Sequence, residues 1–486
     1  MTAVHMPWPD FPPIVQRLQA VVPREAEVHL VGGTVRDALR RRPVHDIDLV
    51  ASRDTLALAR RIADAVGGAF YPLDAARGTG RVILTREPEQ RIVIDLAAYR
   101  GNSLEDDLRA RDFTINALAV PLHAPRHLID PTGGLHDLKD RRLRACAPRA
   151  FVDDPVRILR GARLAAELGF RIVPNTLALM RQAVPLLEDV SPERLRDELF
   201  RMLSSNHPTA PLKVLDALGA LLYVLPEIPC LHGQALPPPH TGDAWAHTMR
   251  TADHLAALLT ALAPHYEQEN AADFALGYAV VLLGRYREHL AAHLRHHSLP
   301  DRPAHALLTL AVFFQHLDPP ENAEATTAAR VAAQRARALR LSKAEIRRLS
   351  TIARYHRLPW HLTQGAHPPS RRTIYRFFRA TGEVGVEVVL LSLAAVLARY
   401  GPALPHTLWR RHVETARALL AAWWEQHDVI VAPPPLLSGD DLMTHLHLSP
   451  GPALGRLLAA LQEAQAAGEV TTREEALAFA RRWLAE

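Results

Sequence analysis

The fold of this chain is decided by residues 30–50, which read LVGGTVRDALRRRPVHDIDLV. Near the end of this stretch, Asp46 and Asp48 alternate with apolar residues. The alternation predicts a β-strand in which the two acids share one face, about 7 Å apart at the backbone. Carboxylates this close repel one another unless a cation neutralises them, and Mg²⁺ commonly binds through one or two carboxylates together with substrate phosphates. We therefore predict a magnesium site here, the alternative being a strand end with two solvated acids.

The first half of the stretch predicts a turn from a strand into a helix. An apolar strand over residues 28–31 leads through Gly32 and Gly33 into a helix that opens at Thr34. Glycines let the backbone approach a ligand closely, and the amides at a helix N-terminus face an anion. Arg36 lies in the first turn, where a cation is unfavourable for the helix dipole, so we interpret it as a phosphate ligand. The corner is predicted to bind phosphate, against the alternative of an ordinary strand-to-helix connection.

Charge composition permits a nucleic-acid partner. The 486 residues are enough for two to four domains, and the formal net charge is +5. Almost all of the positive charge is arginine, because the only lysines are Lys139, Lys213 and Lys343. Arginine-rich surfaces suit phosphate backbones, although a preference for arginine also arises from genomic composition.

Cysteine usage and hydropathy predict a cytoplasmic protein. The two cysteines, Cys146 and Cys230, are too few for a disulfide framework, which favours a reducing compartment. The N-terminal residues lack a charged leader followed by an apolar core. The apolar runs read from the sequence fall short of the 18 or more residues that a membrane span needs, so no membrane partner is expected.

The pattern of elements changes near residue 145. Before it, strand-like runs at residues 27–31, 45–51, 81–85 and 91–99 alternate with helices near residues 35–41, 55–66 and 106–117; after it the periodicity is helical, broken by proline-rich joints. The predicted fold class is α+β, with a small N-terminal head containing a mixed sheet and a long all-helical body. The predicted domains are residues 1–145, 146–230, 231–430 and 431–486.

Further candidate residues follow the acid pair. Asp95 lies on another predicted strand as a possible third carboxylate, the alternative being an ordinary acid at a strand end. Arg111, Asp112 and Asn116 are predicted on neighbouring helical turns, where a cation, an acceptor and an amide would be presented together. Such a set suits a ribose and a triphosphate, although a helix of this composition is also typical of a solvated charged face.

Five motifs in order resemble those of class II tRNA nucleotidyltransferases, the family of CCA-adding enzymes and bacterial poly(A) polymerases within the polymerase-β superfamily. They occupy residues 30–50, 105–119, 130–144, 153–170 and 191–203. The resemblance implies a polymerase-β-like nucleotidyltransferase head. It also implies template-independent, Mg²⁺-dependent addition of CMP and AMP, from CTP and ATP, to the 3′ end of tRNA.

The resemblance also implies residue roles. Asp46 and Asp48 would hold the metals of a two-metal nucleotidyl transfer, with Asp95 as a further catalytic carboxylate. Arg111 and Asp112 would recognise the ribose. Nucleotide binding is assigned to Gly32, Gly33, Arg36, Arg111, Asp112, Asn116, Asp154, Arg157 and Arg160.

In the fourth motif, Asp154 and Arg157 are predicted three apart on one helical face, where they would contact the base edge of CTP or ATP. A bidentate contact of this kind discriminates between bases by about 1–3 kcal/mol. The family usually has Glu where Asp153 stands here, a conservative change.

Two departures from the family pattern bear on function. Complete CCA-adding relatives carry a flexible loop that helps to switch the pocket from C to A, whereas only residues 101–103 separate Arg100 from Leu104 here. The missing loop resembles the CC-adding subtype, which leaves the last A to a separate A-adding enzyme. In the body, residues 244–255 and 310–320 resemble an HD phosphohydrolase domain, but Gln315 and His316 replace its adjacent His and Asp. Gln is a poor metal ligand, so a degenerate HD-like domain without phosphohydrolase activity is expected.

The C-terminal residues 436–477 resemble the tail of long bacterial members. Gly439 with Asp440 is predicted to open one helix and Pro450 with Gly451 the next, in a module that either contacts RNA phosphate or only closes the body. For the whole chain, the alternatives to CCA or CC addition are a poly(A) polymerase and a catalytically silent RNA-binding relative.

Overall fold

A computed structural model describes residues 10–44, 46–87, 90–265, 274–299, 302–319 and 324–485. The chain forms two compact units. The first unit contains the residues up to Val190 together with Val214–Ala220, and the second contains Ser191–Lys213 and the residues from Leu221 onward. The finer division into four domains stays a prediction.

The first unit is built on a six-stranded sheet. Its strands are β1 (His29–Val31), β2 (Asp46–Ala51), β3 (Ala69–Asp74), β4 (Thr79–Glu87), β5 (Gln90–Ala98) and β6 (Ala119–Pro121). The order across the sheet is β3-β4-β5-β2-β1-β6, with β2 parallel to β5 and the other neighbours antiparallel. The predicted mixed sheet is therefore confirmed, although the sequence pattern missed β3 and β6.

Helices and two short strands complete this unit. The helices are α1 (Pro13–Val21), α2 (Gly33–Leu39), α3 (Thr55–Val66), α4 (Leu104–Arg109), α5 (Gly134–Lys139), α6 (Ala150–Asp153), α7 (Arg157–Leu168) and α8 (Pro174–Ala183). Strands β7 (Arg142–Leu143) and β8 (Arg171–Ile172) pair in parallel as a separate two-stranded sheet.

The helix predicted over residues 106–117 is wrong in its second half. Helix α4 ends at Arg109, and a single 3₁₀ turn, Thr114–Asn116, follows after an extended segment. The reason is non-local, because the Thr114 amide donates to the Arg144 carbonyl, 2.9 Å away, and Phe113 forms an antiparallel bridge with Ala145. These backbone pairings replace the hydrogen bonds that would continue the helix.

The described residues of the second unit contain helices and no strand longer than an isolated bridge. Its helices are α9 (Pro192–Leu203), α11 (Leu221–Val224), α12 (Ala244–Ala261), α13 (Phe274–Leu283), α14 (Arg287–His296), α15 (Ala304–Ala311), α16 (Thr326–Ala338), α17 (Lys343–Tyr355), α18 (Leu358–Gln364), α19 (Arg371–Thr381), α20 (Gly385–Tyr400), α21 (His406–Glu425), α22 (Gly439–Leu446), α23 (Pro452–Ala467) and α24 (Arg473–Ala485). Helix α10 (Thr209–Leu218) crosses the boundary between the units. The long helical body is confirmed, whereas the HD-like domain stays a prediction.

One segment of the second unit differs from the sequence expectation about membrane spans. Within the described residues, Arg371–Ala403 is long and apolar enough to cross a membrane by length and composition, and its apolar window of 18 residues has a mean hydropathy of 1.8. However, 78% of its apolar window is buried inside the protein, and helix α20 is covered on nearly all sides. A helix that is hydrophobic all round and buried in this way is typical of the interior of a large domain.

The C-terminal helices α22, α23 and α24 share a small core of their own, which includes Leu442, Leu457 and Leu461. Gly439 opens α22 as predicted, with Ser438 as its N-cap. The next helix begins at Pro452, slightly later than predicted.

A glycine in the first unit gives a test of the packing under the second motif. Gly134 begins α5, and a Cβ atom at this position would lie 2.0 Å from the Thr114 carbonyl oxygen. We expect Gly134→Ala to destabilise this region by about 1–3 kcal/mol, because the backbone of the 3₁₀ turn has to move. Hydrogen exchange read by mass spectrometry should show faster exchange in peptides that cover residues 104–118.

The matched control is Gly455→Ala in α23, where a Cβ atom would meet nothing within 4 Å. Alanine is favoured over glycine in a helix interior by about 0.5–1 kcal/mol, so this change should leave exchange unaltered or slower. Equal exchange of residues 104–118 in wild type and Gly134→Ala would contradict the packing argument.

Candidate active site

The acid pair lies on β2, near the middle of the sheet. Asp46 is exposed and Asp48 is partly buried, while Ile47 and Leu49 on the opposite face are buried in the core. The strand and the shared face of the two acids are as predicted. In the parallel pairing of β2 with β5, Asp48 stands opposite Asp95, so three carboxylates occupy two neighbouring strands.

A threonine that the sequence analysis missed fixes α2 against β2. The Thr34 hydroxyl donates to the Asp46 carbonyl at 3.1 Å and accepts from the Asp48 amide at 2.7 Å. The hydroxyl is buried with the rest of the side chain. Thr34 therefore holds the start of the helix beside the acids, and its place directly after Gly33 was the only sequence signal for this role.

The glycine corner is in close contact with the acid pair. Gly32 has φ +68°, and a Cβ atom there would lie 3.2 Å from Asp48 Oδ2 and 3.2 Å from a terminal guanidinium nitrogen of Arg111. A side chain at this position would be strained in its backbone and crowded by both groups. Gly32, Asp48 and Arg111, which come from two different sequence motifs, therefore meet at one point.

Asp48 has an unusual electrostatic environment. Burial, together with the charges of Asp95 and Asp46, raises the pKa of the Asp48 carboxyl to about 6, although Arg111 and Arg36 act in the opposite direction. Burial and the neighbouring negative charges disfavour the ionised form of this carboxyl. A cation that binds beside it therefore stabilises the ionised form.

Asp95 does not stand free beside the pair. Its two oxygens accept hydrogen bonds from Arg81 on β4, at 2.8 Å from Nε and 2.9 Å from a terminal nitrogen. Both groups are about one-third exposed, so water screens this pair in part. The sequence analysis did not consider Arg81, whose relation to Asp95 depends on the register of β4 on β5.

Arg111 is positioned by an acid that the sequence analysis also missed. Asp107 on α4 is 1% exposed and accepts from Arg111 Nε at 3.0 Å and from a terminal nitrogen at 2.9 Å. The Arg100 amide donates to the other carboxylate oxygen at 3.1 Å. The spacing of four residues between Asp107 and Arg111 was a usable signal, since it is the spacing of a helical ion pair.

A second set of predicted residues forms a network of side-chain hydrogen bonds. Arg36 donates to Asn116 Oδ1 at 2.7 Å, the Asn116 amide donates to Asp112 at 3.1 Å, and Arg160 donates to the other Asp112 oxygen at 3.3 Å. Arg36 also forms an ion pair with Asp37 at 2.6 Å. Although burial opposes it, the charge of Arg160 together with the hydrogen bond from Asn116 lowers the pKa of Asp112.

The predicted helical pairing of Asp154 with Arg157 is wrong in its local structure. Asp154 has an extended backbone between α6 and α7, with φ −152° and ψ 92°, because the following Pro155 disfavours the helical conformation. Arg157 Nε still lies 3.7 Å from Asp154 Oδ2. The Arg157 guanidinium is buried and donates to the carbonyls of Ala110 and Ala150, at 3.0 and 3.1 Å.

The donor set at the acid pair fits a hard divalent cation shared with a substrate. Asp46 and Asp48 offer carboxylate oxygens on one face, which Mg²⁺ prefers. Among the residues that the structure describes, no three carboxylate, imidazole or thiolate side chains are grouped as a protein-only metal site. Such an arrangement suits a cation whose remaining ligands come from substrate phosphates.

Family models match three parts of the chain. Residues 28–144 match the poly A polymerase head domain, residues 169–231 match a probable RNA and SrmB-binding site of polymerase A, and residues 407–480 match a putative domain 2 of tRNA nucleotidyltransferases. The first match contains the acid pair, the glycine corner and the hydrogen-bonded side chains of Arg36, Asn116 and Asp112.

Similarity to curated proteins extends over nearly the whole chain. The CC-adding tRNA nucleotidyltransferase of Geobacter sulfurreducens is 36% identical over 448 residues, which cover 92% of this chain and 89% of that protein. The chain belongs to the tRNA nucleotidyltransferase family. The A-adding tRNA nucleotidyltransferase of Deinococcus radiodurans is 35% identical over 466 residues, covering 94% of this chain and 95% of that relative.

The fold is also that of a solved family member. A CCA-adding enzyme determined in complex with ATP superposes with a TM-score of 0.63 at 20% identity, covering 98% of this chain and 96% of that structure. The predicted fold class, a head with a mixed sheet followed by a long helical body, is thus confirmed.

Removing the charge of Asp107 tests its role as a positioning residue. In Asp107→Asn, we expect the affinity for CTP to fall about fivefold to tenfold, because Arg111 loses its anionic partner and is freed to pair with Asp48. Isothermal titration calorimetry with CTP and Mg²⁺ measures the change.

The control for Asp107→Asn is Glu105→Gln on the same helix. Glu105 forms an exposed ion pair with Arg109 at 2.7 Å, and such pairs contribute about 0–1 kcal/mol. We expect this variant to bind CTP as wild type does. An affinity for CTP within twofold of wild type in a folded Asp107→Asn protein would show that Arg111 needs no help from Asp107.

Because the pKa of Asp48 is raised, replacing this residue should stabilise the folded protein by an amount that depends on pH. A carboxyl whose pKa is about 6 in the folded chain and 3.8 ordinarily destabilises the fold above pH 6, and the cost fades as pH falls toward 4. Asp48→Asn should therefore raise the free energy of unfolding at pH 8 by about 1–3 kcal/mol and change it little at pH 4. Urea unfolding with EDTA at both pH values is the measurement.

Asp46→Asn serves as the comparison, because the exposed Asp46 side chain keeps its hydration and its removal should stabilise the fold less. A loss of stability at pH 8 in Asp48→Asn would contradict the assignment of Asp48 as an electrostatically costly group.

Proposed function

We propose that this protein transfers nucleotidyl units from CTP, ATP or both to the 3′ end of tRNA without a nucleic-acid template. The observation that carries the proposal is the meeting of Asp48, Arg111 and Gly32. A carboxylate oxygen and a guanidinium nitrogen each lie 3.2 Å from the position that a Cβ atom added to Gly32 would take. Membership of the tRNA nucleotidyltransferase family supports the choice of substrate, since the relatives reported above are named for additions to tRNA.

In this proposal, Asp46 and Asp48 hold a divalent cation such as Mg²⁺, with Asp95 as a further catalytic carboxylate. A cation bound there supplies Lewis-acid stabilisation of charge on the transferring phosphoryl group. The chain itself contributes the amides and the open backbone of Gly32 and Gly33 as the seat of the triphosphate, and Arg111 as a cation beside it.

Selection of the nucleotide is assigned to the hydrogen-bonded side chains that connect the second and fourth motifs. Asp112, Asn116 and Arg160 already hold one another in fixed positions, so they present a preorganised set of acceptors and donors to the ribose and base. Arg36 would contact a phosphate, and Asp154 and Arg157 the base edge. Because Arg157 also donates to the Ala110 carbonyl, on this proposal it fixes the pocket wall there as well as contacting the base edge.

We further propose that the protein adds only the two cytidines. The connection from β5 to α4 spans residues 99–103 and is closely tied, because the Asn102 amide donates to Asp106 and the Ser103 hydroxyl accepts from the Asp106 amide. A connection of this length leaves no flexible loop to switch the pocket from C to A. The names of the relatives do not decide the matter, since CC-adding and A-adding enzymes match with nearly the same identity.

The proposed domains divide this work. Residues 1–145 would carry out the transfer, residues 146–230 would recognise the base, residues 231–430 would form the body, and residues 431–486 would contact tRNA. The reaction is proposed to take place in the cytoplasm, as two unpaired cysteines also favour.

The deciding experiment supplies a tRNA that ends before CCA with CTP alone, ATP alone or both, in the presence of Mg²⁺, and sizes the product. We expect CTP alone to extend the tRNA by two nucleotides, added ATP to change nothing, and EDTA to stop the reaction. Asp46→Ala and Asp48→Ala should each lower the rate at least about a hundredfold, because the transferring phosphoryl group then lacks its electrostatic stabilisation.

The control variant is Asp64→Ala, an exposed acid on α3 outside the site, which should extend tRNA at the wild-type rate. Extension of a tRNA ending in CC by ATP would favour an A-adding enzyme, and long tails from ATP alone would favour a poly(A) polymerase. A folded protein that extends no RNA under any of these conditions is a silent relative, and the proposal fails.

A further inference from the structure

Four side chains form a row across one face of the six-stranded sheet. The register places Tyr71 of β3 opposite Arg81 of β4, Arg81 opposite Asp95 of β5, and Asp95 opposite Asp48 of β2. Residues directly opposite one another on neighbouring strands share a face, and their side chains lie close enough to interact. Arg81 therefore lies in line with two of the three carboxylates of the candidate active site.

Arg81 binds both carboxylate oxygens of Asp95. Its Nε atom donates to one oxygen at 2.8 Å, and a terminal nitrogen donates to the other at 2.9 Å. The planar guanidinium matches a carboxylate in this two-point geometry. A Mg²⁺ ion needs the same oxygens at about 2.0–2.1 Å. Arg81 and a cation at Asp95 therefore compete for one set of ligand atoms.

The acid pair on β2 is in a different situation. Arg111 acts on Asp48 through its charge, whereas its Nε atom and one terminal nitrogen donate to Asp107. Among the described residues, neither Asp46 nor Asp48 is bound by a guanidinium in the way that Asp95 is. A cation at the acid pair therefore has no competitor of this kind.

The charge of Arg81 adds to the competition. The Arg81 and Asp95 side chains are 34% and 30% exposed, so water screens their attraction only in part. The guanidinium cancels the negative charge of Asp95 and repels a cation that approaches it. At pH 8, above the pKa of about 6 of Asp48, the three carboxylates and Arg81 together carry two negative charges. One divalent cation neutralises that charge.

We propose that Arg81 is a positioning residue that binds Asp95 in place of a second cation, so that in the absence of nucleotide a single divalent cation binds, at Asp46 and Asp48. The inference rests on the proposed function, because it assumes that these carboxylates bind a divalent cation. It goes further in assigning Arg81 control over how many cations the three carboxylates hold. The step is an exchange of ligands and involves no covalent change.

The test is a titration of the full chain with Mn²⁺ as a substitute for Mg²⁺, at pH 8 without nucleotide or tRNA, with free Mn²⁺ read by electron paramagnetic resonance. In wild type we expect one equivalent to bind, with any second equivalent at least about tenfold weaker. In Arg81→Met, the second equivalent should bind about threefold to fivefold more tightly than in wild type, the range that loss of a partly screened ion pair accounts for. A misfolded variant would lose Mn²⁺ binding rather than gain it, so the readout separates positioning from a merely structural role.

Two further variants locate the bound ions. In Asp46→Asn we expect the first equivalent to be lost. In the double variant Arg81→Met with Asp95→Asn, the gain of the second equivalent should disappear, because the carboxylate that Arg81→Met frees is no longer there.

The matched control is Arg77→Met in the turn between β3 and β4. Arg77 is 86% exposed and lies 3.6 Å from Asp74, so it is an arginine of the same hairpin with an exposed ion pair. We expect this variant to bind Mn²⁺ as wild type does. An equal gain in Arg77→Met and Arg81→Met, or a gain that persists when Asp95 is replaced, would reduce the effect to general charge repulsion and overturn the inference.

A measurement on the wild-type chain covers the case in which the variants do not fold. Two Mn²⁺ equivalents of comparable affinity in wild type, or none, would overturn the inference without any substitution. Extension of tRNA is measured separately. Two equivalents in a protein that extends tRNA would overturn this inference alone, whereas one equivalent in a protein that extends no RNA would overturn the proposed function and leave the role of Arg81 at Asp95 standing.

Discussion

Three carboxylates on β2 and β5, among them the partly buried Asp48, are the constraint on which the first unit depends. Asp46 and Asp48 share a face, and the parallel register places Asp95 opposite Asp48. Burial is the largest cause of the raised pKa of Asp48, and the charges of Asp95 and Asp46 add to it. A protein that keeps such a cluster loses stability unless cations balance it, so the local arrangement of arginines follows from this one cost.

The arginine side chains that balance these carboxylates are held in fixed positions by hydrogen bonds. Arg81 binds Asp95 through two hydrogen bonds, and Asp107 holds Arg111 beside Gly32. Because each guanidinium is fixed before any ligand arrives, little reorganisation is needed when charge develops in the site. Gly32 contributes to the same arrangement, because a side chain at this position would displace Asp48 and Arg111.

The second unit uses polar side chains in a different way. A cavity lined by α12, α18 and α20 contains histidines that burial keeps neutral, and a guanidinium packed on an aromatic ring rather than on a carboxylate. The carboxylates of the first unit, by contrast, favour a cation.

The sequence by itself determined the features that depend on neighbouring residues. Alternation placed Asp46 and Asp48 on one strand face, the glycine pair marked the corner, and the ordered motifs identified the family. Only the tertiary structure decided which groups pair across strands and helices. Asp95 meets Arg81 because of the β4–β5 register, and α4 stops early because Thr114 bonds to Arg144. Side-chain alternation and turn chemistry act over a few residues, whereas strand register and buried ion pairs are set by segments distant in the chain, which no local pattern encodes.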